Sequence, residues 1–281
     1  MAKSFAREAI GMDVYWRKNN MELAALTEKV RELAVETGAF IRNERKKFSR
    51  DKVEKKHAHD YVSYVDKESE RRIVSRLKEL LPEAGFIAEE GTGSLTDETY
   101  CWVVDPLDGT TNFIHDNAPY CVSIALRNRE EFLIGVVYEI CRDECFWTYK
   151  GSPSFLNGNE IHVSAVSDPD DTFLALGFPY NVHDYKPTAI HLVNQCYGRI
   201  SGLRLLGAAA AELCYVAAGR FDARIEAYLG PWDIAAGSLI LLNAGGKITD
   251  FKGGNTYVSG HQIVASNGKI HDFLLDIIDK Q

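Results

Sequence analysis

Four short runs rich in β-branched and aromatic residues follow one another between Tyr100 and Lys150: CWVVD from Cys101, CVSIALR from Cys121, FLIGVVYEI from Phe132 and CFWTYK from Cys145. Polar turns such as Arg127–Glu130 and Arg142–Asp143 separate them, which predicts an antiparallel meander. Such a sheet needs helices to cover it. From Leu23 the apolar residues fall at Leu26, Val30, Leu33 and Phe40, the stripe of an amphipathic helix. A second helix is expected from about Asp66 to Leu80, with Ile73, Leu77 and Leu81 inward, Glu68 paired with Arg72, and Pro82 ending it. Between the two, Ile41 to Lys56 is dense in Arg and Lys and reads as a solvated helix end followed by a loop.

Past the turn signal Asn157-Gly158 the texture changes. Ser167–Asp171 is a connection, after which the run from Phe173 to Phe178, a helical stretch Ala189–Cys196, the Ala-rich run Gly207–Ala218, the run Phe221–Ile225 and a helix Trp232–Asn243 alternate strand and helix. A last helix carries Ile270, Phe273, Leu274, Ile277 and Ile278 on one face. The 281 residues therefore divide into an extension (1–20), an α+β lobe (21–166) and an α/β lobe (167–281), an α/β chain overall. No internal repeat or low-complexity tract is visible.

Charge narrows the partners. With 32 Lys and Arg against 40 Asp and Glu the net charge is −8, which argues against nucleic acid or an anionic membrane as partner, since both attract basic surfaces. The longest apolar stretches fall short of the ~20 residues a membrane helix needs, and the N-terminus shows no signal-peptide h-region. Six cysteines form no C-x-x-C pair, so reduced, mostly buried thiols and a cytoplasmic location are expected.

The chemistry concentrates in Trp102–Phe113, where an apolar strand delivers Asp105 and Asp108 into a turn containing Pro106 and Gly109, with Thr110 opening a short helix. Hard oxygen ligands suit Mg²⁺, and free N–H groups at a helix start suit phosphate. Asp, Pro and Gly are equally the residues of an ordinary turn. Glu89-Glu90 ends another apolar run, and Asp233 stands at the mouth of an apolar helix; alone, each reads as a solvated acid or a cap. His57-Ala58-His59-Asp60 reads as a solvated loop rather than a metal site, and Cys214 as packing.

Together and in this order, Asp60–Glu70, Ile87–Glu90, Trp102–Phe113 and Trp232–Gly237 resemble the inositol monophosphatase family. The likeness runs from about Leu23 to the C-terminus and takes in Gly177–Tyr180, Leu203–Ala209, Phe221–Ala223 and Gly245-Gly246. It implies a layered αβαβα sandwich and a lithium-sensitive, Mg²⁺-dependent phosphatase of small phosphate monoesters, active as a homodimer. By position, Glu89, Asp105 and the Leu107 carbonyl would hold a first metal, and Asp105, Asp108 and Asp233 a second. A third, looser one would lean on Glu89, and Mn²⁺ would substitute for Mg²⁺. Thr110 with Asp66 would orient the attacking water, and Lys55 matches the family's loop lysine. The N–H groups of Gly109 and Thr110 would receive phosphate oxygens, with Asp108, Ala209 and Glu226 facing the alcohol.

Three positions depart from the family: Ala88 for Gly, Gly91 for Ser, and Ala208 for a hydroxyl residue near the substrate. None removes a ligand. Thr111-Asn112, where relatives acting on nucleotide 3′-phosphates commonly carry Lys in place of Thr111, favours an inositol- or sugar-phosphate substrate; inositol monophosphate is expected first, with 3′-phosphoadenosine 5′-phosphate and fructose 1,6-bisphosphate as the alternatives. The contrasting expectation is a non-catalytic scaffold that binds a phosphate ligand in the same pocket.

Overall fold

Helix α1 (Ala2–Arg45) crosses one face of a seven-stranded sheet and turns its Val30, Leu33, Ala34 and Ile41 into the core. The computed structural model describes residues 2–49, 53–57, 60–92, 99–179 and 185–279, with the side chains of 2–21 and 54–62 excepted. Helix α2 (Tyr64–Leu80) lies beside α1 and buries Ile73, Val74 and Leu77, while Glu68 pairs outside with Arg71 and Arg72. Leu81 is only partly buried.

Ile41–Lys56 differs from its reading as a solvated end and loop. Ile41 is fully buried, and Val53–His57 forms strand β1, paired antiparallel with β2 (Asp60–Ser63). A two-stranded ribbon is held by backbone bonds, so a Lys-rich strand shows no apolar alternation to betray it.

The large sheet runs β3 (Gly85–Ala88), β4 (Cys101–Asp108), β5 (Cys121–Arg127), β6 (Phe132–Glu139), β7 (Glu144–Tyr149), β8 (Ser154–Leu156), β9 (Asn159–Ile161) in spatial order. From β4 onward every pairing is antiparallel, the expected meander; β3 alone joins parallel. Period-two alternation sends Trp102, Val104, Ile124 and Val136 to α1 and α2, and Val103, Ala125 and Val137 to the opposite face. There lie α5 (Ala209–Ala217) and α6 (Pro231–Asn243). Helix α6 comes close because a Cβ on Gly135 would stand 2.7 Å from the Ala236 carbonyl oxygen.

A second sheet of β10 (Phe173–Leu176), β11 (Gly202–Arg204), β12 (Ala223–Ala227), β13 (Lys247–Thr249) and β14 (Gln262–Ser266), ordered β11-β10-β12-β14-β13, covers the far side of α5 and α6. Its outer face packs Leu174, Leu176 and Ile225 on α4 (Lys186–Cys196) and α7 (His271–Asp279) through Leu192, Leu274 and Ile277. The layers are therefore helix, sheet, helix, sheet, helix, as expected. Each fully buried Leu or Ile adds about 1.5–3 kcal/mol. All six cysteines are free, and only Cys141 is exposed.

His271 opens α7 fully buried, its ring nitrogens 2.8 Å from Ser266 Oγ and 2.9 Å from Thr249 Oγ1. Burial pulls its pKa down to about 4. The unfolded ring takes its proton near pH 6.5, so the stabilisation is complete above that pH and drains as pH falls toward 4, by about 3 kcal/mol. Urea denaturation at pH 4.5 and 7.5 should show that loss in the native chain and a smaller one in His271→Gln; equal losses would contradict it.

Candidate active site

Residues three apart on a regular strand point to opposite faces, so Asp105 and Asp108 should diverge. They converge because β4 is bulged. Asp105 pairs with Ser123 and Asp108 with Cys121, so three steps on β4 match two on β5. The extra residue turns both carboxylates to the α5–α6 side. Asp105 Oδ1 accepts the Leu107 N–H at 2.9 Å. Asp108 accepts the N–H of Ala209 at 3.0 Å and of Ala210 at 2.8 Å, which ties β4 to the start of α5.

Asp233 comes from α6. Gly230 is the N-cap, and Asp233 in the first turn accepts the Gly230 N–H at 2.7 Å, so it is not the cap itself. One oxygen each of Asp105, Asp108 and Asp233 lies within 4.8 Å of the others. Glu89, just past β3, stands outside this tight group but lines the same cavity of about 580 Å³, as does Leu107. Burial first, then repulsion from Glu89, Asp108 and Asp233, pushes the Asp105 carboxyl well above the usual range. Burial and the charges of Asp108 and Glu89 do the same to Asp233. Asp108 is raised by burial and partly relieved by the N–H of Ala210. Buried carboxylates that repel one another are matched by divalent cations, and all-oxygen donors suit Mg²⁺ or Mn²⁺.

After Asp108, Gly109 takes φ 89°, a left-handed value that glycine adopts freely. The chain then enters α3 (Thr110–His115), and Thr110 Oγ1 lies 2.8 Å from Asp66 Oδ1 and 3.0 Å from the Leu107 carbonyl oxygen. Asp66 is fully buried in the first turn of α2, and its Oδ2 accepts both the N–H and the hydroxyl of Ser63. Burial raises the Asp66 pKa; the bonds from Ser63 and Thr110 oppose the rise.

Glu226 and Ala209 line the cavity. Ala208 does not line it; it is buried, its methyl 3.2 Å from where a Cβ on Gly109 would stand. A hydroxyl there would meet the turn rather than substrate. Ala58, His59 and the side chains of Lys55, His57 and Asp60 lie outside the described residues.

Two acids escaped sequence reading. Glu70 of α2, fully buried, accepts the N–H of Glu90 at 2.7 Å and of Thr92 at 2.9 Å, and so holds the loop that carries Glu89. Glu212 of α5 is ion-paired to Arg224 of β12. A lone acid in an apolar helix and a lone Arg in an apolar strand were the available signal.

The inositol monophosphatase family model matches residues 22–281. The Escherichia coli K12 protein named Nus factor SuhB is 41% identical over 217 residues, spanning 76% of this chain and 81% of that one. The inositol-1-monophosphatase of Mesorhizobium japonicum is 34% identical over 261 residues, 92% and 98% of the two chains. The crystal structure of extragenic suppressor protein suhB from Bartonella henselae superposes with a TM-score of 0.85 at 35% identity, covering 89% of this chain and 96% of that one. A match over nearly the whole length, on a fold that brings acids from separate elements to one cavity, makes this chain a member of the inositol monophosphatase family.

Proposed function

We propose that this chain is a Mg²⁺-dependent phosphatase that hydrolyses a small phosphate monoester, inositol monophosphate first among them. The observation that carries the reading is the convergence of Asp105, Asp108 and Asp233 within 4.8 Å at the wall of one cavity. In this reading residues 21–166 contribute Glu89, Asp105, Asp108 and the Leu107 carbonyl as ligands, and residues 167–281 contribute Asp233. Two or three bound Mg²⁺ ions, or Mn²⁺ in their place, would neutralise phosphate charge and lower the pKa of water.

The remaining work belongs to the chain. Thr110 Oγ1 accepts a proton from the attacking water and passes its own to Asp66 Oδ1, 2.8 Å away. Ser63 fixes the other oxygen of Asp66, so the acceptor cannot turn away. The N–H groups of Gly109 and Thr110 donate to phosphate oxygens. Asp108 and Glu226 face the alcohol; Ala209, whose N–H is committed to Asp108, shapes that wall with its methyl group.

Among the described residues lining the cavity, Arg224 supplies the one cationic side chain, and it is bonded to two carboxylates. Among the described residues a second phosphate has no free cationic side chain to meet on the alcohol side, which supports a monophosphate over fructose 1,6-bisphosphate or 3′-phosphoadenosine 5′-phosphate. Among the described residues no helix is long and apolar enough to cross a membrane. The net charge of −8 supports a small-molecule ester rather than a nucleic acid or an anionic membrane as partner, and a cytoplasmic location belongs to the same reading. A homodimeric mass in solution belongs to the same reading.

Pure protein should release phosphate from inositol 1-phosphate with Mg²⁺, stop on chelation, be inhibited by Li⁺, and prefer this ester over the two bisphosphates. No release from any ester would defeat the reading. It would also favour the binding-scaffold alternative, which the relative's name, Nus factor, brings into view. Glu70→Ala should raise the Mg²⁺ concentration for half-maximal release by about tenfold, because two N–H groups around Glu89 lose their shared acceptor. An unchanged Mg²⁺ dependence would show that Glu70 does not hold that loop in place.

A further inference from the structure

Behind the cavity runs a string of buried charges. Arg224 on β12 is 1% exposed; its guanidinium donates to Glu212 Oε2, on the fully buried Glu212, and to Glu226 Oε2, on Glu226 at 12%. Residues two apart on a strand share a face, which sets Arg224 beside Glu226. Glu226 also lies across Gly177, where any Cβ would overlap its carboxylate. Glu212 Oε1 accepts the N–H of Gly207 at 2.8 Å and of Ala208 at 3.3 Å, immediately before the Ala209 and Ala210 N–H groups that anchor Asp108. The string thus links the wall that faces the alcohol to the loop that fixes Asp108.

Stability alone does not account for such a string. Apolar side chains of similar volume often do as well as a buried ion pair, and the Arg224 Nε meets no acceptor among the described residues. What the arrangement does provide is orientation: Glu226 is pinned between a fork and a glycine, and it lines the cavity.

We propose that Arg224 is a positioning residue for substrate choice, holding the Glu226 carboxylate so that it accepts hydroxyl hydrogens of a polyol leaving group. This rests on the phosphatase reading. Arg224→Gln should raise KM for inositol 1-phosphate by about tenfold with kcat held within about threefold, the loss of one hydrogen bond to a charged group. With p-nitrophenyl phosphate, which offers no hydroxyl, KM should stay within about twofold. Arg224→Lys keeps the charge but loses the fork and should show the same substrate-selective rise, smaller in size. Glu226→Gln should reproduce the selectivity of Arg224→Gln.

Equal KM rises for both esters in these variants, or a fall in kcat at constant KM, would overturn the proposal. If Arg224→Gln does not fold, Arg224→Lys and Glu226→Gln decide by the same comparison. A native protein that hydrolyses neither ester defeats the phosphatase reading itself, a result distinct from a native enzyme whose variants lose discrimination.

Discussion

Asp105→Asn is expected to lower kcat/KM for phosphate release at least ~1,000-fold, a loss of about 4 kcal/mol of transition-state stabilisation. Asn keeps an oxygen for the Leu107 N–H, so the turn survives. What disappears is one of the charges the site directs at a cation. The same substitution should raise the melting temperature of the chain in chelator, because Asp105 is buried among Glu89, Asp108 and Asp233, whose charges oppose its own. It should also abolish the thermal stabilisation that Mg²⁺ gives the native chain. Activity near the native level, or a melting temperature still raised by Mg²⁺, would contradict the account. Asp108→Asn is a less clean test: an amide NH₂ would face the N–H of Ala209 or Ala210, which costs about 1–3 kcal/mol.

Thr110→Ala should reduce kcat by about 10²–10⁴ with KM nearly unchanged. The hydroxyl is the one described link between the cavity and the buried Asp66 carboxylate, and an alanine cuts it. Thr110→Ser keeps the oxygen and should restore most of the rate. If the alanine variant turned over like the native chain, water would be oriented by some other group and the Thr110–Asp66 role would be withdrawn. Binding of Mg²⁺, read by its effect on melting, should survive in both variants, which separates this pair from the metal ligands.

Much of the fold was legible because its layers are written in periodicity. The β-branched and aromatic runs CVSIALR and FLIGVVYEI, broken by polar turns, announced the meander, and the stripe Leu26, Val30, Leu33 announced α1 from Leu23 onward. The β1–β2 ribbon was not legible, since backbone bonds hold it and its side chains are charged. At the site, the acids could be named from their motifs, but their meeting could not be derived. Asp105 and Asp108 share a face only through the bulge at Pro106-Leu107, and one residue of register is invisible to pattern reading. Glu70 looked like an ordinary helix acid because its partners are main-chain N–H groups 20 and 22 residues away. Arg224 was hidden in a mostly apolar strand, and its two partners, Glu226 two residues on and Glu212 across the layer in α5, are brought to it only by the fold.

Crystals soaked in MnCl₂ and measured for anomalous scattering test the central claim most directly. The account predicts strong peaks bounded by Asp105, Asp108 and Asp233, with Glu89 at the edge of the site, and their disappearance in Asp105→Asn. A soaked native crystal with no anomalous peak in the cavity, its carboxylates turned apart, would contradict it.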